Sequence, residues 1–164
     1  MITQGVQITG RCSGCGGPTI CDVGQFFHRG RLRWGSEGRC ENCSDGWCEE
    51  DIGPVTPEHI RQALLQPHGP SRLRLSGEVP SPVPVLKALR DAGDGLSLGE
   101  ARARASELAA GGLVGTLVEM EVLAVRLRAR AVPVTVEPAG GSAVAAPTPH
   151  GPTAQAPDPP SYAP

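Results

Sequence analysis

Two Cys-x-x-Cys pairs, Cys12/Cys15 and Cys40/Cys43, are the residues whose type and spacing speak most directly of chemistry. Each pair offers two soft thiolates from one tight turn, and two such turns complete a tetrahedral four-sulfur metal site. Gly16-Gly17 follows Cys15 and suits a turn that needs positive φ. Twenty-four residues separate the pairs, which fits a ribbon with a long hairpin. The spacing therefore predicts a structural Zn2+ held by Cys12, Cys15, Cys40 and Cys43. Four thiolates leave no open position for water, so hydrolysis at that metal is not expected. The competing reading is a redox dithiol. A thioredoxin-like pair would precede a helix in a βαβ setting, and neither pair does.

Cys21 and Cys48 lie outside the knuckles. Three readings stay open for them: buried thiols, alternative ligation, or a bridge to each other. His28 is a further ligand candidate.

The elements that must position these thiols are compact. Residues 1–54 hold all six cysteines and both tryptophans, are Gly-rich, and lack helical periodicity. Gln25–His28 and Arg31–Trp34 read as two short strands around Arg29-Gly30. A unit this small needs a staple, because metal-binding free energy becomes folding free energy. The expectation is a zinc ribbon. Residues 55–71 follow as a short helix and linker. Thr56-Pro57-Glu58 is a start signal, with Thr56 as N-cap and Pro57 at the first helical position. The helix is expected to stop before Pro67.

Residues 72–136 form a second unit. Arg72–Ser76 alternates as a strand. Ser81-Pro82 opens a helix through Val85, Leu86 and Leu89 to Ala92, and Gly93-Asp94-Gly95 breaks it. Ser97-Leu98-Gly99-Glu100 and Thr116-Leu117-Val118-Glu119 are capping boxes for two more helices. The last of these carries Met120, Leu123 and Leu127 on one face. Leu113-Val114 and Val132–Val136 read as strands, with Pro133 suiting an edge. The fold class is α+β: a small ribbon of β-hairpins, then β-α-α-β-α-β with helices on one sheet face. Residues 137–164 carry eight prolines and only Glu137 and Asp158 as charges, so disorder is expected. Asp158–Tyr162 is a candidate partner motif within that tail.

Bulk properties exclude some classes. The 164 residues carry a net charge of −2, so no global field draws the chain to nucleic acid or an acidic membrane. Residues 1–57 hold five arginines against seven acids, and residues 72–136 nine cations against seven acids. MITQGVQITGRC lacks a basic n-region and an apolar run, so no secretory signal is expected. No stretch reaches the length of a membrane span. These features point to a cytoplasmic chain in which thiols stay reduced. No paired acid/base set, nucleophile elbow or phosphate loop stands out, so no enzyme is expected. Arg126, Arg128 and Arg130 lie late in the last helix, where cations suit the helix dipole.

Val85-Leu86-Lys87-Ala88-Leu89-Arg90-Asp91-Ala92, followed by Gly95-Leu96-Ser97-Leu98-Gly99-Glu100-Ala101-Arg102, resembles the C-terminal domain of the bacterial ribosomal stalk protein L7/L12. That family reads Val-Ile-Lys-Ala-Val-Arg-Glu-Ala, a glycine turn, then Leu-Lys-Glu-Ala-Lys. The resemblance covers about residues 72–136. Pro82 and Gly99 stand where the family usually has lysines, and the cysteine-rich unit replaces its dimerisation region. The resemblance implies the same β-α-α-β-α-β fold and a surface on the first two helices that recruits translation GTPases. Carried over, that surface comprises Val83, Leu86, Lys87, Arg90 and Arg102. The expected function is a non-enzymatic zinc-binding adaptor with a protein partner, in the translation machinery if the family surface is retained. The alternative is a nucleic-acid-binding ribbon using Arg11, Arg29, Arg31, Arg33, Arg39 and Trp34. A thiol redox or metal sensor using Cys21 and Cys48 is a third reading.

Overall fold

A computed structural model describes residues 2–53, 55–92 and 95–140. Gly93, Asp94 and most of the expected tail, including Asp158–Tyr162, lie outside the described residues. Among the described residues the chain is α+β, with an antiparallel four-stranded sheet, four helices and a second, three-stranded sheet.

The first sheet is a meander of β1 (Ile2–Arg11), β2 (Pro18–His28), β3 (Arg31–Cys40) and β4 (Gly46–Ile52), in that spatial order. The expected short strands Gln25–His28 and Arg31–Trp34 are only the turn-proximal parts of β2 and β3. Arg29 and Gly30 both take positive φ, at 50° and 79°. This is the two-residue hairpin turn that matches strand twist. β1 and β4 escaped the sequence reading for different reasons. Gln4 interrupts the alternation of Ile2, Val6 and Ile8 in β1, and Gly5 and Gly10 dilute its strand signal. β4 is exposed along its whole length and carries Glu49-Glu50-Asp51, a composition poor in strand signals.

α1 (Glu58–His68) lies across the sheet. Ile60 and Leu64 pack on Cys21 and Val23, with Trp34 and Val6 beside them. Two details differ from expectation. Pro57, not Thr56, is the N-cap, because the Thr56 hydroxyl accepts a hydrogen bond from Gln25 Nε2 instead. The helix also runs through Pro67 to His68, although the proline has no N–H to give the carbonyl one turn back. Gly69 ends it at φ 70° and donates its N–H to Leu65 O at 2.9 Å.

The second sheet has the order β6-β5-β7, built from β5 (Ser71–Leu75), β6 (Leu113–Gly115) and β7 (Val134–Pro138), all antiparallel to β5. β7 starts two residues later than the sequence suggests and ends two later, so Glu137 and Pro138 belong to the strand and not to the expected tail. Ala131 turns at φ 58° and Val132 N–H returns to Leu127 O at 3.0 Å, which keeps Val132 in the helix exit. α2 (Val83–Ala92), α3 (Leu98–Ala110) and α4 (Leu117–Arg128) complete the unit. Leu73, Leu89, Leu108, Leu123 and Leu127 form its core. Both capping boxes are present: Ser97 with Glu100, and Thr116 with Glu119.

α4 joins the two sheets. Met120, Leu123 and Leu127 face the second core, as expected. Val118 and Val122 form another stripe, which packs on Leu32, Ile2 and Phe27 of the first sheet. A helix apolar on nearly every side is a buried helix.

At this junction Gln25 of β2 is almost fully buried. Its Nε2 donates to Thr56 and to Glu119 Oε1 at 3.3 Å, and its Oε1 accepts from the Thr116 hydroxyl. Arg61 Nε donates to Glu119 Oε2 at 3.1 Å. A buried amide costs free energy unless its donors and acceptors are matched, and here they are.

Candidate metal centre

The β1–β2 and β3–β4 connections lie side by side at one end of the first sheet, and each carries a knuckle. The register explains this: Thr19 pairs with Cys40, and Glu41 N–H extends the ladder to Pro18 O at 3.0 Å. The two loops close alike. Cys12 N–H donates to Gly17 O and Cys40 N–H to Asp45 O, each at 2.8 Å. Gly16 takes φ 72°, as its place after Cys15 suggests, and its N–H returns to Cys12 O at 2.9 Å.

The four sulfurs of Cys12, Cys15, Cys40 and Cys43 lie within 4.8 Å of one another. Cys12 Sγ is 3.8 Å from Cys43 Sγ, and Cys15 Sγ is 3.5 Å from Cys40 Sγ. A tetrahedral site with metal–sulfur bonds of about 2.3 Å has edges of about 3.8 Å. The cluster is thus close enough to bind a metal ion. Cys12 and Cys40 are buried, and Cys15 and Cys43 are exposed.

Backbone dipoles already favour thiolates here. Gly17 N–H points at Cys15 Sγ at 3.4 Å and Asn42 N–H at Cys40 Sγ at 3.3 Å. The Asn42 contact is the main reason the Cys40 thiol is pulled down to about 7. Cys43 behaves oppositely. The Asp45 N–H favours its thiolate, yet the thiols of Cys15 and Cys40 and burial outweigh it, pushing it up to about 12. Cys12 is also raised: N–H groups of Cys15 and Gly14 lower it, but burial and the Asp45 carboxylate prevail. Thiols packed this closely resist joint ionisation until a cation supplies charge.

Two contacts were not read from the sequence. The Cys12 thiol donates to Asp45 Oδ2 at 3.3 Å, three residues past Asn42 in the second knuckle. A Cβ on Gly17 would fall 2.8 Å from the Asn42 side chain, so the knuckles touch through a glycine. Gly17→Ala is accordingly expected to push Asn42 aside and weaken metal affinity at least tenfold, read by competition with a chromogenic chelator.

The other candidates fall elsewhere. His28 is at the far end of β2, on the order of 30 Å along the strand from the knuckles. Cys21 is buried under α1, 3.3 Å from Ser36 Oγ. Cys48 pairs with Glu37, whose neighbours Ser36 and Gly38 share the Cys21 face. Strand alternation therefore puts Cys21 and Cys48 on opposite faces, too far apart to bridge. Trp34 packs in the α1 cluster rather than standing free.

The five partner-surface candidates gather on α2 and α3. Val83 is 49% exposed, Lys87, Arg90 and Arg102 are exposed, and Leu86 is half-buried. Val83 and Lys87 line a shallow groove of about 570 Å³ with Pro84, Ala129 and Arg130. Arg90 Nε donates to Leu96 O at 3.3 Å, which ties it to the α2–α3 turn. A cleft of about 730 Å³ lies between β3, the start of α1, β6 and α4, but its Glu119 is already held by Arg61. Among the described residues, no helix is long and apolar enough to cross a membrane. No family model, curated protein or solved structure matches this chain.

Proposed function

We propose that this chain is a non-enzymatic interaction protein, a zinc-stapled ribbon carrying a second unit that docks a protein partner through α2 and α3. Zinc is the metal favoured by four thiolates in a closed tetrahedral shell, and such a site folds a small unit rather than activating water. The observation that carries the docking reading is the exposed Val83 beside Lys87 on the rim of the α2–α4 groove. An apolar contact flanked by cations suits an acidic partner surface.

The order β5-α2-α3-β6-α4-β7 supports the likeness to the stalk-protein C-terminal domain, and with it a partner among translation GTPases. The test is direct binding of purified bacterial translation GTPases to the zinc-loaded chain. Lys87→Glu is expected to weaken capture at least tenfold and Val83→Asp to abolish it, with the fold intact by circular dichroism. Binding that both variants leave unchanged, or no binding by the wild type, would remove this reading.

A further inference from the structure

The β1–β4 sheet has one covered face and one bare face. Val6, Cys21, Val23 and Trp34 pack under α1, and Ile2, Phe27 and Leu32 under α4. Strand alternation sends their neighbours to the opposite side. The register therefore gathers Arg11, Arg31, Arg33 and Arg39 on the bare face, together with Phe26 and His28. This parity is invisible until the pairing is known.

The half of that face next to the β2–β3 turn is basic. Phe26 pairs with Arg33, and His28 with Arg31. The Arg33 guanidinium lies over the Phe26 ring, 5.4 Å from its centroid. Arg29 adds a third arginine at the turn. Glu50 is the acid here, and it is paired with Arg33. With Arg33 paired to Glu50, Arg29 and Arg31 leave this half of the face cationic on a chain of net charge −2, and Arg31 also lines the cleft that holds Glu58 and Asp91. Beyond Phe26, Gly5, Gly24 and Gly35 align across three strands. A Cβ on any of them would meet only backbone, the nearest being Gln4 O at 3.2 Å from Gly24, so no side chain covers that floor. Asp22 and Glu37 stand on its far side and confine the patch to the turn half.

We propose that this half-face binds single-stranded nucleic acid. Arg29, Arg31 and Arg33 contact phosphates, and a base stacks on the Phe26–Arg33 pair with its flat edge over the glycine floor. Charge complementarity selects a polyanion. The aromatic–guanidinium stack beside a bare floor selects planar bases over an acidic peptide.

Fluorescence anisotropy with short labelled oligothymidylate and oligouridylate, using the full metal-loaded chain, tests this. Three phosphate contacts predict a log–log salt slope of about −2. Arg29→Asn/Arg31→Gln should weaken binding about tenfold and flatten the slope by roughly 1.4. Asn is chosen because it tolerates positive φ. Phe26→Leu should cost about fivefold or more. Lys87→Glu should change nothing. NMR amide shifts in the wild type, which need no variant to fold, should centre on Phe26, Gly24 and Gly35. No binding at low salt, shifts centred elsewhere, or equal competition by polyglutamate with no Phe26→Leu effect would overturn the proposal.

Discussion

Full removal of metal by a strong chelator is expected to abolish the cooperative melting of the four-stranded sheet and to open all four knuckle thiols to alkylation. The reason is one of scale. A structural thiolate site contributes on the order of 10 kcal/mol to a small fold, and a whole domain has only about 5–15 kcal/mol of stability. Without the ion, four sulfurs within 4.8 Å lose the charge that holds them together. The loss should not stay in the sheet. Gln25, Phe27 and Leu32 hold Thr116, Val118, Val122 and Glu119, so the first turns of α4 lose their partners. Hydrogen exchange should show deprotection in β2 and β3 and, to a lesser degree, at the start of α4. The α2–α3 pair should keep its protection. An unchanged melting curve in protein proven metal-free would show that the knuckles are not a structural staple. Deprotection stopping before α4 would show that the buried junction does not transmit it.

The second large effect comes from two capping boxes with the same local chemistry in different surroundings. In α3, Ser97 N–H donates to Glu100 Oε2 at 2.8 Å, in solvent. In α4, Thr116 N–H donates to Glu119 Oε2 at 3.0 Å, and Glu119 also accepts from Arg61 and Gln25. Glu119→Ala removes a cap and leaves the Gln25 amide short of a partner. It is expected to cost about 3 kcal/mol, a fall in Tm of roughly 6–12 °C. Glu100→Ala should shift Tm by a small fraction of that. Equal shifts for the two variants would mean that the junction network contributes nothing beyond the cap. The Glu100 carboxyl sits below its ordinary 4.5, chiefly through the Ser97 hydroxyl. Its folded value is depressed, so its contribution is present above the unfolded range and is lost as pH falls through the folded value. That small acid-side loss should vanish in Glu100→Ala.

The parts legible in the chain are those decided within a few residues. Both knuckles could be read because a metal needs thiols at turn spacing, and Gly16 supplies the positive φ such a turn requires. Ser97–Glu100 and Thr116–Glu119 could be read because a capping box closes on itself. The Arg29-Gly30 turn was visible for the same reason. Thr56 misled, because its hydroxyl had a distant competitor in Gln25 that no local pattern reveals.

The sequence by itself determined the thiol set, the starts of α3 and α4 and the apolar stripe of α4 that builds the second core. Only the tertiary structure decided the rest. β4 is a strand because β3 pairs with it, not because Glu49-Glu50-Asp51 favours extended backbone. Val118 and Val122 acquire meaning only against Leu32 and Phe27, which lie more than eighty residues earlier. Register sets Cys21 and Cys48 on opposite faces, turns Trp34 toward α1, and gathers four arginines on one side. A strand's period of two leaves its choice of face open until a covering helix fixes it, and that helix comes from another part of the chain.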